Sequence, residues 1–567
     1  MASELDVELG RIMDRLTAPG GPLETVAFQR HGRDLPMFKH APPTLRVLFK
    51  HFCAQHDVAE FIVDGELRLS FAETLAQART MAGGLVAGHG VKIGDRVGIA
   101  ARNSANWIIS YMAVVLAGGC VTLLNGWGTG EDLAGAIRLV DCSLVLADSQ
   151  RAARLEGSET GATIVVIDHG DPATGLAPLL AKGGGAHTPL PDLTADDLST
   201  IVYTSGSTGT SKGAFSDHRG VVSAIMNYAA QSLMVLTYLT EKGGLKSRQQ
   251  CTLINVPLFH VTGEVPLFLQ SIVIGRRMII MPKWDAEDAM RLIEREQVTY
   301  FVGVPLMSYE IATHPNRAQY DLSSCMAFAA GGAPRPVEHV KRLRDAIPTG
   351  FPLLGYGLTE TNAVGCGNFN ENYLAKPGST GPVSRPLVEL AILDDGGDQL
   401  PQGEVGEVAF RSICNVLGYW NDPEATAAAI MPDGFFRTGD LGRLDADGYL
   451  FIVDRKKDII IRGGENISCI EVEQAIYAHP GIAETSVFGL ADERLGEVPV
   501  AVWLAKPGHD ITETDLREFL CQQLAAYKIP ARFWQEHEPL PRLGTEKVDK
   551  RALKARYSAQ WDTAKSS

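Results

Sequence analysis

The sequence predicts an α/β protein. A large N-terminal domain of several subdomains has layered sheets and a small β subdomain, and a small α+β C-terminal domain follows it. Three observations carry this reading. The chain has 567 residues, too many for a single hydrophobic core. Helical patterns alternate with short apolar strands from Leu45 to about residue 350, the rhythm of layered α/β domains. The pattern then changes near residue 388 and again near Asp454, which divides the chain into 1–453 and 454–567.

Along the chain, the first 44 residues show only an amphipathic start. FAETLAQARTMAGGLVAGHG (71–90) reads as a helix closed by glycine. RVGIAARN, SLVLAD (143–148) and TIVVIDHG (163–170) read as strands, and 182–193 form a Gly/Pro-rich linker. Trp107–Leu124 carries no charge over 18 residues, the lower edge of a membrane span. Gly118 and Gly119 divide it into a helix-like half and a β-branched half, so a buried helix followed by a buried strand is expected. Residues 261–281 are interrupted by Glu264, Arg276 and Arg277, and no integral membrane segment is expected. VELAILDDGGDQLPQGEVGEVAFRS (388–412) alternates strands with Gly/Asp turns, which predicts the β subdomain. Beyond Asp454, a helix over Ile470–Ala478 stops before Pro480, and strands follow at 483–488 and 498–504. Thr512 opens another helix, with Asp515 in the capping-box position.

Composition narrows the function classes. Hydrophobic residues are 45% and charged residues 21%, ordinary for a globular protein. A formal net charge of -15 disfavours nucleic acid and anionic membranes as partners. The nine cysteines lack CxxC or zinc spacing and read as reduced thiols of a cytoplasmic protein. The start, MASELDVELG, has no apolar run and is not a secretory leader.

The sharpest local signal is TSGSTGTSKG, Thr204–Gly213, directly after the apolar strand Leu198–Tyr203. Its glycines, hydroxyls and Lys212 suit a loop whose N–H groups turn inward around phosphate oxygens. It does not fit GxxxxGK[ST], so the standard P-loop class is excluded. In GYGLTET (355–361), Tyr356 offers a face for a base, Thr359 a hydroxyl for a phosphate, and Glu360 a hard oxygen donor for Mg²⁺. GGAP, Gly331–Pro334, is nearly free of side chains and can lie flat against a ring. FRTGDLG (436–442) sets Asp440 after a glycine turn, where a carboxylate can accept from two ribose hydroxyls. A lone His260 in PLFHVTG, after an apolar strand, reads as structural.

Together with DRKKDIIIRGGENI (454–467) and LPRLGTEKVDKRALK (540–554), these motifs resemble, in order and over nearly the whole chain, the adenylate-forming (AMP-binding) superfamily. The resemblance is to its acyl-CoA synthetase and aryl-CoA ligase branch. It implies a C-terminal domain that swings about a hinge at Lys457, with ATP, Mg²⁺ and coenzyme A as cofactors or co-substrates. Thr204, Ser205, Gly206, Ser207, Thr208, Gly209 and Lys212 would hold phosphates. Gly332, Ala333, Pro334, Tyr356 and Gly357 would enclose adenine, Thr359 would meet the α-phosphate, and Glu360 would help hold the metal. Asp440 would take the ribose, and Arg455 would reach the nucleotide.

Lys547 would stabilise the charge that develops as a carboxylate attacks the α-phosphate. Glycine usually precedes that lysine in the superfamily, whereas Glu546 stands there in this chain. Gly463 and Gly464 would border the pantetheine path, where glycine permits close approach to backbone. His260, Val261, Gly263, Val304 and Gly331 would border the acyl pocket. VTGEVPLF (261–268), YFVGVPLMSY (300–309) and GCGNF (365–369) are apolar or small and include no basic residue dedicated to a second carboxylate, so a hydrophobic fatty, aromatic or alicyclic acid is expected. A homodimer is among the expected assemblies. The alternatives are an adenylating enzyme serving a separate carrier protein and a non-catalytic nucleotide-binding protein.

Overall fold

The computed structural model describes residues 3–204, 211–243, 248–543 and 547–565. Two large sheets dominate the N-terminal part. One has seven strands, in the spatial order Gly418–Tyr419, Gly213–Asp217, Leu198–Tyr203, Cys120–Leu123, Arg96–Ala100, Leu144–Ala147 and Thr163–Val166. Its last five strands run parallel, and antiparallel strands close the first edge. The other has eight strands. Phe351–Gly357, Ala327–Ala330, Tyr300–Gly303, Cys251–Ile254, Arg277–Ile280 and Glu60–Asp64 run parallel, flanked by Gly365–Asn368 and Leu67–Ser70. The expected β subdomain is a four-stranded antiparallel sheet of Val388–Leu393, Gly406–Ser412, Phe436–Leu444 and Leu450–Arg455.

The uncharged run resolves as its residues dictate. Ala105–Ala117 is a fully buried helix, Gly118 ends it in the left-handed conformation, and Cys120–Leu123 is an interior strand. Such a run is buried on both faces by neighbouring layers. The run at 71–90 is the helix Phe71–His89, opened by a Ser70–Glu73 capping box and ended by Gly90 at φ 70°. The amphipathic start is the helix Glu4–Thr17, and a hairpin of Thr25–Arg30 and Arg33–Phe38 follows it.

One helix, His218–Glu241, is long and apolar enough by composition to cross a membrane. One of its sides is buried and packs against the helix Glu4–Thr17 and Gln270–Ile274. That is how a core helix of this composition behaves.

The C-terminal part has its own core, including Ile460, Ile467, Val472, Val487, Trp503 and Leu516. It holds a five-stranded sheet with Ile482–Asp492 and Gly496–Ala505 as its long hairpin. The helix Cys469–Tyr477 and the Thr512–Asp515 capping box stand where the pattern places them. Asp454 ties the two parts together. It stands one residue before the end of the last strand of the β subdomain, and its Oδ2 accepts from Ser468 Oγ at 3.1 Å and from the Ile470 amide at 3.2 Å.

Candidate active site

A cavity of about 1100 Å³ opens where the carboxyl ends of the parallel eight-stranded sheet, the β subdomain and the C-terminal part meet. In open parallel sheets this is the end at which ligands bind. The strand Ala327–Ala330 delivers Gly331, Gly332, Ala333 and Pro334 to the wall, and Phe351–Gly357 delivers Tyr356 and Gly357. A single 3₁₀ turn, Thr359–Thr361, presents Thr359 and Glu360. Across the cavity, Asp440 and Arg455 are cross-strand partners in the β subdomain. Their side chains approach to 3.7 Å, and Tyr356 Oη donates to Asp440 Oδ2 at 2.6 Å.

Lys547 reaches this site from the C-terminal part. A Cβ on Gly332 would stand 3.2 Å from Lys547 Cε and 3.6 Å from Nζ. Gly332 also has φ +76°, a conformation that only glycine adopts at little cost. Glycine here lets the lysine stem pass against backbone. Burial pushes the Lys547 amine down to about 8; Arg455 adds to this, and Asp440 opposes it. Asp440 itself is held above the usual carboxylate range, chiefly by burial, with Tyr356, Arg455 and Lys547 pulling the other way. His260 lines the same space and is pushed down to about 3 by burial and by Lys547. Its Nδ1 accepts from the Thr262 amide at 3.2 Å, which leaves the proton on Nε2.

The end of the cavity beside the glycine-rich loop is built around Tyr419, a residue the motif reading missed. Its hydroxyl donates to Glu360 Oε1 at 2.8 Å, and Lys212 Nζ lies over its ring at 4.9 Å. Lys212 also stands 3.7 Å from Asp422. Burial raises the pKa of Glu360, and the Tyr419 hydroxyl lowers it. Among the described residues no group of three or more His, Cys, Asp or Glu could cage a metal. Mg²⁺ does not need one, since it is commonly held by one or two carboxylates plus substrate phosphates. Glu360, with one hydrogen bond accepted and lone pairs to spare, fits that pattern. Thr204 and Lys212 line the cavity at the two ends of the glycine-rich loop; Ser205, Gly206, Ser207, Thr208 and Gly209 lie outside the described residues, as does Glu546.

Residues 49–420 match the family model described as AMP-binding enzyme, and residues 471–547 match the one described as AMP-binding enzyme C-terminal domain. The chain belongs to the AMP-binding enzyme family. It is 31% identical over 531 residues to a mitochondrial medium-chain acyl-CoA ligase of Danio rerio, covering 88% of this chain and 85% of the relative. It is 34% identical to the 2-succinylbenzoate–CoA ligase of Geobacillus kaustophilus, covering 87% and 94%. Among solved structures, ATP-bound MatB from Rhodopseudomonas palustris superposes with a TM-score of 0.80 at 29% identity, covering 91% of this chain and 99% of that one. The o-succinylbenzoate CoA synthetase of Bacillus subtilis with its acyl-adenylate intermediate gives 0.77 at 27% identity, covering 90% and 98%.

Not every site residue expected of this AMP-binding enzyme meets the cavity. His260, Val261 and Gly331 line it, but Gly263 and Val304 do not. Gly263 packs under the wall, where a Cβ would come within 2.2 Å of the Pro257 carbonyl. The alternation of the strand Tyr300–Gly303 puts Tyr300 and Val302 on the wall instead, and Val304 stands just before the next helix. Gly463 and Gly464 form the two-residue turn of the hairpin Ile460–Arg462/Glu465–Ile467, at φ +59° and +92°. They lie off this cavity, while Lys547 and Lys457 line it.

The sequence reading also missed one long wall. Tyr228, Gln231, Ser232, Val235, Leu236 and Leu239 line the cavity from the helix His218–Glu241. Their three-and-one spacing is the signature of one helix face. A further correction concerns charge, because Arg276, read only as an interruption of an apolar run, also lines the cavity.

Proposed function

We propose that this chain is an ATP-dependent acid–thiol ligase of the acyl-CoA synthetase type, acting on an elongated acid with an apolar body. The observation that carries the proposal is Lys547, lodged against Gly332 and sharing one cavity with Tyr356, Thr359, Glu360, Asp440 and Arg455. The carboxylate of the acid attacks the α-phosphorus of ATP, a carboxyl oxygen–phosphorus bond forms, and pyrophosphate leaves. Lys547 meets the charge that develops there, and a preorganised charge in a water-poor site is worth far more than in bulk. Coenzyme A thiolate then attacks the acyl carbon, and AMP departs.

Asp440 would accept from the ribose hydroxyls, and the flat Gly331–Pro334 segment and Tyr356 would enclose the adenine. Mg²⁺, when bound by Glu360 and the phosphates, would neutralise phosphate charge. Gly463 and Gly464 would serve the second half-reaction from another face of the C-terminal part, once that part turns about Lys457. The names of the relatives support coenzyme A as the acceptor. The nine unpaired cysteines, eight of them buried, support a reducing compartment such as the cytoplasm.

Incubation with ATP, Mg²⁺ and a panel of fatty, aromatic and alicyclic acids, with and without coenzyme A, tests the proposal. AMP and thioester forming together, and only with coenzyme A, is the expected result. Adenylate transfer to a carrier protein but not to coenzyme A would point to a carrier-dependent enzyme. Nucleotide binding without turnover would contradict the proposal.

A further inference from the structure

The cavity does not end at the nucleotide. It follows the parallel sheet from Gly331, after the strand Ala327–Ala330, to Met326 before that strand. At about 3.3 Å per residue these five steps make a depth of roughly 16 Å. The far end lies beside the starts of neighbouring strands, because Tyr300 pairs with Ala327 and Thr252, and Cys251 pairs with Arg277. Arg276 stands there, immediately before its strand, only 3% exposed and yet on the cavity wall.

Arg276 has no counter-charge among the described residues. Glu60 pairs with Arg277 at 2.7 Å and Glu296 with Arg68 at 2.9 Å, while Glu264 accepts from Tyr111 at 2.6 Å through Oε1, leaves its buried Oε2 without a partner and makes no ion pair with Arg276. Burial accordingly lowers the Arg276 guanidinium to about 10, so it remains charged at neutral pH.

Its five N–H donors are only partly used. Nε donates to Ser271 Oγ at 2.8 Å. Nη2 donates to the Pro266 and Leu267 carbonyls at 2.7 and 3.0 Å and to Gln270 Oε1 at 3.3 Å. Nη1 has no acceptor among the described residues, and it is not among the polar atoms sealed away without a partner, so it abuts the cavity. Tyr300, whose ring lies 5.2 Å from the guanidinium carbon, likewise lines the cavity, and its hydroxyl has no hydrogen-bond partner among the described residues. A buried guanidinium left unpaired is costly. Free N–H groups on Nη1 beside an unpartnered phenol hydroxyl on the wall of a substrate cavity are an arrangement that pairs with a carboxylate.

We infer that the far end of the acyl cavity is a carboxylate anchor formed by Arg276 and Tyr300, so that the preferred substrates are long dicarboxylic acids, activated at one end and held by the other. The inference rests on the ligase reading and specifies its substrate class. A guanidinium that only capped the carbonyls of residues 266 and 267 would leave selectivity between diacids and monoacids untouched.

The test is thioester formation by the full chain on matched pairs, from adipic against hexanoic acid up to sebacic against decanoic acid, with ω-hydroxydecanoic acid as a neutral polar control. Wild type should favour the diacid in kcat/KM by at least about 10-fold at the long end of the series, with the hydroxy acid between. Charged hydrogen bonds of this kind carry roughly 10-fold to 150-fold, so Arg276→Leu should erase or invert the ratio by that factor. Arg276→Lys should restore part of it, and Tyr300→Phe should reduce it several-fold. Should Arg276→Leu fail to fold, the wild-type series with Arg276→Lys and Tyr300→Phe decides alone. Turnover of monoacids with no preference for diacids, or an unchanged ratio in the variants, would overturn the anchor and leave the ligase reading standing. No AMP from any acid in the presence of coenzyme A would overturn both.

Discussion

The Tyr356 hydroxyl donates to Asp440 Oδ2 at 2.6 Å, bridging the end of the eight-stranded sheet to the β subdomain across the mouth of the cavity. The bond holds the carboxylate in one orientation while its other lone pairs stay available. Asp440→Ala should therefore weaken ATP binding by roughly 10-fold to 150-fold, the range of a hydrogen bond to a buried charge. It should also lose discrimination between ATP and its 2′,3′-dideoxy analogue. Tyr356→Phe should keep that discrimination, because the acceptor remains. Titrations of both nucleotides against the three proteins check this, and retained discrimination in Asp440→Ala would remove the ribose role.

Lys547 predicts a pH dependence. Its amine is lowered to about 8 by burial, with Arg455 adding to the effect, so its charge is present below that pH and lost above it. The kcat/KM for adenylation, which reports the free enzyme, should fall as pH rises through about 8. Lys547→Arg, always protonated, should remove that limb in whatever activity survives. His260, lowered to about 3, is neutral throughout this range, and His260→Gln should leave the profile unmoved. An alkaline limb that persists in Lys547→Arg would assign the titration to another group.

Glu360 and Tyr419 form a second testable pair. Glu360→Gln keeps the shape and removes the charge that would face a cation, so the Mg²⁺ concentration for half-maximal activity should rise by about 10-fold or more, a loss on the scale of one charged contact. Tyr419→Phe should shift it by less, since the carboxylate stays. Measuring adenylation against Mg²⁺ separates the two, and an unchanged requirement in Glu360→Gln would place the metal elsewhere.

Among the described residues the Lys212 amine meets the Tyr419 ring and, at 3.7 Å, Asp422, and both charged side chains are more than a third exposed. Exposed pairs of this kind stabilise by only about 0–1 kcal/mol. Lys212→Ala should raise the KM for ATP several-fold while leaving the thermal midpoint within a few degrees. A large loss of stability with normal ATP kinetics would make Lys212 structural.

Local chemistry was the legible part of this sequence. Tyr356, Glu360, Asp440 and Lys547 sit in short motifs whose residue types announce phosphate, ribose and charge, and all four meet in the cavity. Trp107–Leu124 was legible as a helix and a strand because Gly118 and Gly119 punctuate it. The acyl end was not legible. Which of Val302 and Val304 faces the cavity depends on where the strand Tyr300–Gly303 starts, and apolar composition cannot set that. Arg276 looked like a break in an apolar run because whether a charge is buried, and whether nearby acids are already paired, is a tertiary property. The wall on His218–Glu241 was readable in principle from its spacing, but only if one asks which face a largely apolar helix leaves free.

The central claim is that one C-terminal part serves two half-reactions from two faces, Lys547 on the cavity and the Gly463–Gly464 turn away from it. Single-turnover assays of each half-reaction on two variants test it most directly. Lys547→Ala should slow acyl-adenylate formation by roughly 10²–10³-fold, the cost of one preorganised charge, yet still convert supplied acyl-adenylate and coenzyme A to thioester. Gly464→Leu should form adenylate normally and stall in transfer. Equal damage to both half-reactions in both folded variants would contradict the two-face account.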